Sequence, residues 1–264
     1  MCVEDGARPP LPPIRGSALD SSKIHLTAAD GARVLAFAAR AEAPSGAGIV
    51  ILPDVRGLHR FYEELALRFA EAGVDAIAVD YFARTADTEH RDSEFDHQAH
   101  MAQVQGETLY HDVDAAAAHL RSPQGGAVRR LYTIGFCFGG RLSFLQASRS
   151  TLGLAGVIGF YGWPVGSNRG LPAPADVVGE FVCSVLAIFG EADQGIPGEA
   201  RDTFEKALTR AGIEHRTVVY PRASHGFFDK ALPEFAEQSA DAWRQVLDFM
   251  QVANSEASAP AVRT

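Results

Sequence analysis

The chain has 264 residues, 47% hydrophobic and 22% charged, with a formal net charge of −9. This is the balance of a globular protein with a sizeable core, and its acidic excess argues against a nucleic-acid backbone as partner. The cysteines, Cys2, Cys137 and Cys183, cannot all pair and form no CxxC, which argues against a disulfide scaffold or a cysteine-rich zinc site and for a reducing compartment.

Residues 1–22 are rich in proline and lack an apolar signal core, so they read as an arm or tail without a secretory signal. No apolar run is long enough to span a membrane, and the expectation is a soluble cytoplasmic protein, monomer or homodimer. Ile24–Leu26 and Val34–Phe37 flank Asp30-Gly31, a strong hairpin signal. Gly48–Leu52 is a continuous apolar run of the kind found in a central parallel strand, and Pro53–Leu58 is a loop. Phe61, Leu65, Leu67, Phe69 and Ala70 mark the apolar face of a helix that stops at Gly73, and Ala76–Asp80 is the next strand.

Residues 82–102 are charged, rich in histidine and aperiodic, and a loop this long in a compact domain is expected to be a lid or pocket wall. A helix is predicted over Glu107–Arg121, a strand from Leu131 to Gly135, and a helix over Arg141–Arg149. Further strands are predicted at Leu154–Tyr161, Val185–Phe189 and Thr217–Tyr220, and helices over Pro197–Ala211 and Ala240–Val252. Residues 162–183 form a second long loop, and 253–264 a polar tail. The pattern predicts one α/β domain over residues 23–252. It is a three-layer sandwich with a mostly parallel central sheet of about seven to eight strands, an N-terminal antiparallel hairpin and helices on both faces.

Gly135-Phe136-Cys137-Phe138-Gly139 joins a buried strand to a helix, the pattern of a nucleophile elbow with cysteine in place of serine. A sharp turn strains the nucleophile's backbone, and glycine on either side removes clashes between the crossing strand and helix. The bland alternative is a glycine-rich turn holding an inert buried thiol, a common fate of free cysteine. Functional groups in such sheets gather on loops beyond the carboxyl ends of the strands. That rule selects Asp54, Asp80, Arg84, Cys137, Tyr161, Asp193 and His225. Nucleophile, acid and histidine then follow in the chain order of the α/β-hydrolase triad.

In that reading Cys137 attacks as a thiolate, favoured by the following helix N-terminus and an imidazolium partner. His225 moves the proton, and Asp193 orients the imidazole. The amides of Phe138 and Val55 form the oxyanion hole. His97-x-x-His100 beside Asp92, Glu94 and Asp96 raises the question of a metal. No hydrolytic metal motif is present, however, and a charged lid face explains these residues, so neither metal nor cofactor is expected. Cys183 is expected to be buried and inert, and Asp80 to hold the strand end and its loop.

These residues resemble the dienelactone hydrolase family (carboxymethylenebutenolidases), α/β-hydrolases with a Cys-Asp-His triad, from about Ile24 to Met250. The most specific pieces are Gly135–Gly140, Phe189–Asp193 and Ser224–Phe227. The resemblance implies Cys137, Asp193 and His225 as the triad and Pro53-Asp54-Val55 as the oxyanion loop. It also implies a thiol-activating carboxylate at Asp54, where founding members have glutamate. Arg84 matches the first of two arginines that clamp a substrate carboxylate, while Asp229 occupies the position of the second. An acid there would repel a carboxylate, so a substrate without one is expected. Tyr161 and Phe227 complete the expected substrate contacts.

The activity implied is hydrolysis of a small lactone or ester through a thioester acyl-enzyme. A glutamine amidotransferase would carry G-x-C-x-G-x-Q and His-x-Glu, but Arg141 and Phe227 stand at those positions. A ligand-binding or thiol redox-sensing protein on the same fold is the non-enzymatic alternative.

Overall fold

The computed structural model describes residues 8–11, 17–230 and 233–252. Cys2, most of the expected arm and the expected tail at 253–264 lie outside the described residues. Strand β1 (Ala18–Thr27) pairs antiparallel with β2 (Arg33–Ala41). In the turn between them, the Ala32 amide donates to Asp30 Oδ1 at 3.1 Å. The strand thus begins inside the stretch expected to be an arm. Its residues alternate only weakly because it is the mostly exposed edge of the sheet.

The remaining strands are β3 (Ala47–Leu52), β4 (Val74–Val79), β5 (Arg130–Phe136), β6 (Gly156–Phe160), β7 (Ser184–Gly190) and β8 (His215–Tyr220). They form one eight-stranded sheet in the order β1-β2-β4-β3-β5-β6-β7-β8. The β2–β4 pair is antiparallel, and every pair from β4 onward is parallel. Strands β3, β4 and β6 are buried at every position, as central parallel strands covered on both faces must be.

The longer helices are α1 (Arg60–Glu71), α3 (Gly106–Arg121), α4 (Phe138–Gln146), α5 (Gly198–Ala211) and α6 (Ala236–Phe249). Right-handed crossovers send the helices to opposite faces where the strand order reverses after β4. Aromatic contacts record the result. Phe69 of α1 meets Trp243 of α6 with ring centroids 4.7 Å apart, and Phe144 of α4 meets Phe204 of α5 at 4.9 Å. Helix α4 is buried at all its residues, so it has no polar face and no amphipathic period to read.

Two long segments are more ordered than their composition suggests. Within 82–102 lies the short helix α2 (His97–Met101), capped by Asp96, whose Oδ1 accepts from the Ala99 amide at 3.1 Å. Arg91 is buried and forks onto Asp80, with Nε–Oδ1 3.1 Å and Nη2–Oδ2 2.8 Å. Its guanidinium carbon lies 4.4 Å from the Phe95 ring centroid, and His100 stacks on the Phe95 ring with centroids 4.7 Å apart. Asp80 also accepts from the amides of Leu58 and Phe82, so it ties the β3 and β4 loops to this segment. In 162–183, two 3-10 turns (Pro174–Asp176 and Val178–Glu180) follow a tight hairpin at 168–171.

The pairing register brings the strand ends level. Leu52 stands opposite Gly135, Gly135 opposite Gly159, and Gly190 opposite Tyr220. The loops that follow therefore open on one edge of the sheet.

The Arg91–Asp80 pair makes a direct prediction. Arg91→Met leaves a buried carboxylate without its cation and is expected to cost roughly 3–5 kcal/mol in chemical denaturation. Cleavage by a protease within 82–102 should also become faster. Unchanged stability would show that the pair does not anchor this segment.

Candidate active site

Strand β5 ends at Phe136 and α4 begins at Phe138, so Cys137 alone makes the turn. Its φ of 55° and ψ of −112° are strained for any residue with a side chain. Two bonds hold it there: the Cys137 amide donates to Phe160 O at 3.0 Å, and the Arg141 amide donates to Cys137 O at 3.1 Å. Glycine makes the crossing possible. A Cβ on Gly135 would collide with the Gly139 carbonyl oxygen, and one on Gly139 with the carbonyl oxygens of Leu52 and Pro53. The thiol is free and partly exposed.

His225 lies beyond β8 and Asp193 beyond β7. His225 Nδ1 is 2.7 Å from Asp193 Oδ2. The other carboxylate oxygen, Oδ1, accepts from the Gly195 amide at 2.9 Å and the Ile196 amide at 3.2 Å, which fixes the buried acid in place. With Nδ1 committed, Nε2 is the nitrogen left to serve Cys137, which lines the same cavity. Burial opposes charge on the imidazole, but the hydrogen bonds to Asp193 and Cys137 outweigh it and push the group up to about 10. The three residues singled out from chain order thus converge on one point.

Val55 and Phe138 both face the same cavity, and their amides have no acceptor among the described residues. The loop carrying Val55 is braced from below. The Tyr81 hydroxyl donates to Pro53 O at 2.8 Å, and the Asp54 amide donates to the Tyr62 hydroxyl at 3.0 Å. Asp54 itself is buried, off the cavity wall, and its Oδ1 accepts from the Arg56 amide at 2.8 Å. Its Oδ1 also lies 3.7 Å from His59 Nε2. Burial works against its charge, but His59 and the Arg56 amide hold the carboxyl below the ordinary aspartate range.

Three expected substrate contacts lie elsewhere. Arg84 is held by Asp30 and Asp112, with Nη1–Oδ2 2.6 Å and Nη2–Oδ1 2.5 Å, and does not line the cavity. Asp229 is buried, and its Oδ1 accepts from the Tyr161 hydroxyl at 2.6 Å. The Asp229 amide in turn donates to the Tyr161 hydroxyl oxygen at 3.2 Å. Asp229 therefore steadies Tyr161 and presents no charge to a substrate, which removes the ground for expecting a carboxylate to be repelled. Phe227 is also core, packed on Tyr161 and Tyr220 with centroids 5.7 and 5.4 Å away. Tyr161 does line the cavity, at a strained φ of 38°, with its ring centroid 5.1 Å from that of His225.

The cavity measures about 250 Å³. Besides the elbow and His225, its wall includes Met101 from α2, Trp163 and Arg169 from the 162–183 loop, and Ile196 after β7. Sequence reasoning flagged both loops but not these side chains, because an aperiodic segment does not say which residues turn inward. Cys183 is partly buried and burial pushes its thiol up to about 12, in keeping with an inert group. Among the described residues, no three His, Cys, Asp or Glu side chains gather as metal ligands would, and no helix is long and apolar enough to cross a membrane.

A strand-elbow-helix at the centre of an eight-stranded, mostly parallel sheet, with an acid after β7 and a histidine after β8, defines an α/β-hydrolase. Solved structures share the fold. A Pyrococcus horikoshii acylaminoacyl peptidase superposes with a TM-score of 0.66 at 14% identity, over 89% of this chain and 42% of its own. Much nearer is a structure titled "Putative Dienelactone Hydrolase" from Klebsiella pneumoniae, with a TM-score of 0.77 and 29% identity, covering 88% of this chain and 98% of that one. The chain belongs to the dienelactone hydrolase family, whose model matches residues 34–254, and is a hydrolase of that kind. A relative from Methylorubrum extorquens named "Putative carboxymethylenebutenolidase" is 32% identical over 212 residues, 77% of this chain and 71% of its own. A Bradyrhizobium relative, "Probable 2-oxo-3-(5-oxofuran-2-ylidene)propanoate lactonase", is 25% identical over 214 residues, 77% of this chain and 82% of its own.

The buried acid behind Tyr161 has a consequence for stability. Burial first, and then the Asp54 charge, push Asp229 up to about 7 from an ordinary 3.8. The folded protein therefore binds this proton more tightly than the unfolded chain, and stability is lost as pH rises from about 4 through 7. Asp229→Asn keeps an acceptor for the Tyr161 hydroxyl and removes the titration. Denaturant melts at pH 5 and pH 8 should show a smaller loss for the variant than for the wild type. Equal losses would mean that Asp229 is ionised throughout.

Proposed function

We propose that this protein hydrolyses small lactones or carboxylic esters through a thioester on Cys137, with His225 as acid and base and Asp193 as its orienting partner. The observation that carries the reading is the strained Cys137 at the head of α4, sharing a cavity with an imidazole whose Nδ1 is held 2.7 Å from a buried carboxylate. The family relationship and the names borne by the Methylorubrum and Bradyrhizobium relatives support the same class of substrate.

The chemistry follows from the geometry. The Cys137 sulfur, as thiolate, adds to the substrate carbonyl, and the resulting oxyanion is met by the amides of Val55 and Phe138. Collapse breaks the ring or ester C–O bond, and His225 Nε2 gives its proton to the leaving oxygen. Water then adds to the thioester as the same nitrogen takes its proton, and the thiolate leaves. A lactone yields a ring-opened hydroxy or oxo acid. Asp193 keeps Nδ1 protonated and the ring aligned through both steps. The fixed backbone around Asp54 keeps the Val55 amide at its post, since the carboxyl is turned toward Arg56 and His59.

Steady-state assays on activated aryl esters and on unsaturated γ-lactones test this. Cys137→Ala should lose activity by about 10⁴-fold or more, and Asp193→Asn by about 10²- to 10⁴-fold, with folding intact. Full turnover in Cys137→Ala would overturn the assignment. Stoichiometric labelling of Cys137 with no turnover of any ester or lactone would favour a thiol sensor.

A further inference from the structure

The cavity beside Cys137 is walled largely by apolar and aromatic side chains, and among the described residues no aspartate or glutamate lines it. Three aromatic residues face it: Phe138, Tyr161 and Trp163. They differ in what their rings touch. The Phe138 ring meets Tyr81 edge-on with centroids 5.6 Å apart. The Tyr161 ring is packed among Phe136, Phe160, Phe227 and His225, with centroids 5.1 to 6.3 Å away. Trp163 has no ring partner among the described residues, and its indole N–H makes no hydrogen bond there.

Trp163 is also 38% exposed, whereas the protein's other tryptophan, Trp243, is 6% exposed and packs on Phe69. A large flat apolar face left in water forgoes the burial that the core takes elsewhere. At the wall of a reaction cavity, a ring on the ligand is what recovers it.

The backbone that carries this indole is held from three sides. Gly162 packs so closely on α4 that an added Cβ would lie 2.4 Å from the Gly140 carbonyl carbon and 2.5 Å from the Arg141 amide nitrogen. Arg141 Nη1 donates to Trp163 O at 3.0 Å, and its Nη2 to Gly166 O at 2.6 Å and Pro172 O at 2.7 Å. Pro164 follows, and its carbonyl accepts from the Ala175 amide at 2.9 Å. A side chain on a fixed backbone loses less freedom when a ligand covers it. Elsewhere on the wall, Met101 brings a thioether, which contacts aromatic rings favourably, and Ile196 an aliphatic surface.

We propose that Trp163 is a specificity-determining residue of this site, stacking its indole face on an aromatic ring of the substrate while the substrate carbonyl stands at Cys137. The ligand class is an aryl-substituted lactone or ester, its ring in offset contact with the indole. The proposal rests on the hydrolase reading above for its reaction, but not for its binding geometry.

The test uses two γ-butyrolactones that differ only in the substituent on the γ carbon, phenyl in one and cyclohexyl in the other. Cyclohexyl buries at least as much apolar surface but has no flat π face, so burial alone would not favour phenyl. Wild type should favour the phenyl lactone, and Trp163→Leu should cut the ratio of the two kcat/KM values by about three- to tenfold, mainly through KM. Comparing the ratios of the two enzymes cancels any difference in the lactones' own reactivity. Trp163→Phe keeps a flat face and should keep most of the ratio. The Arg141 bond goes to the Trp163 carbonyl, so neither substitution removes it. A residue that merely fills the wall would change both kcat/KM values alike and leave the ratio alone, which would overturn the proposal. Calorimetric titration of each lactone into Cys137→Ala separates binding from reaction. A phenyl preference there that is lost in Cys137→Ala/Trp163→Leu supports Trp163 even if the wild type turns over neither lactone, a result that would sink only the hydrolase reading. No preference, or the same preference with and without the indole, would overturn the proposal.

Discussion

The close crossing of α4 beneath the loop after β3 is the constraint on which the site depends. At Gly139 the helix backbone meets the carbonyl oxygens of Leu52 and Pro53, leaving no room for a side chain. That contact holds Cys137 in a backbone conformation it would not adopt alone and brings the loop carrying Val55 alongside the Phe138 amide. The same approach that strains Cys137 therefore sets the Val55 and Phe138 amides on one cavity, where the proposed reaction needs donors to an oxyanion. The parallel register carries the geometry outward, since level strand ends let Asp193 and His225 reach the same point from β7 and β8.

Around this point the protein handles buried charge in three ways. Asp80 is paired with Arg91 in a fork and anchors a loop. Asp54 is turned toward the Arg56 amide and His59, and stiffens the loop that supplies Val55. Asp229, bonded to a hydroxyl and in no ion pair among the described residues, retains its proton more readily and steadies Tyr161. Each acid is used up within the protein, and among the described residues none lines the cavity, in a molecule whose net charge is −9.

Much of this was legible in the sequence, and the rest was hidden for physical reasons. The apolar runs Gly48–Leu52 and Val185–Phe189 announce strands covered on both faces, and the glycines around Cys137 announce the elbow, because both signals are local. The order of Cys137, Asp193 and His225 predicts their meeting because a parallel sheet sends successive loops to one edge. Partners distant in sequence were not legible. Arg84 was read as facing a substrate, but Asp30 and Asp112 reach it from the hairpin turn and α3. Asp229 was read as a charge in the pocket, and only the fold shows it beneath the Tyr161 hydroxyl. Trp163 lay in a segment read simply as a loop, since a tryptophan without a ring partner looks no different in sequence from one in the core, such as Trp243.

The central claim is that Cys137 carries the acyl group during turnover. Rapid quenching in acid during hydrolysis of an activated ester, followed by proteolysis and mass spectrometry, reads it directly. The account predicts a substrate-derived acyl mass, labile to hydroxylamine, on the peptide containing Cys137 and on no other. An acyl group on a different residue, or steady turnover with Cys137 never modified, would contradict it.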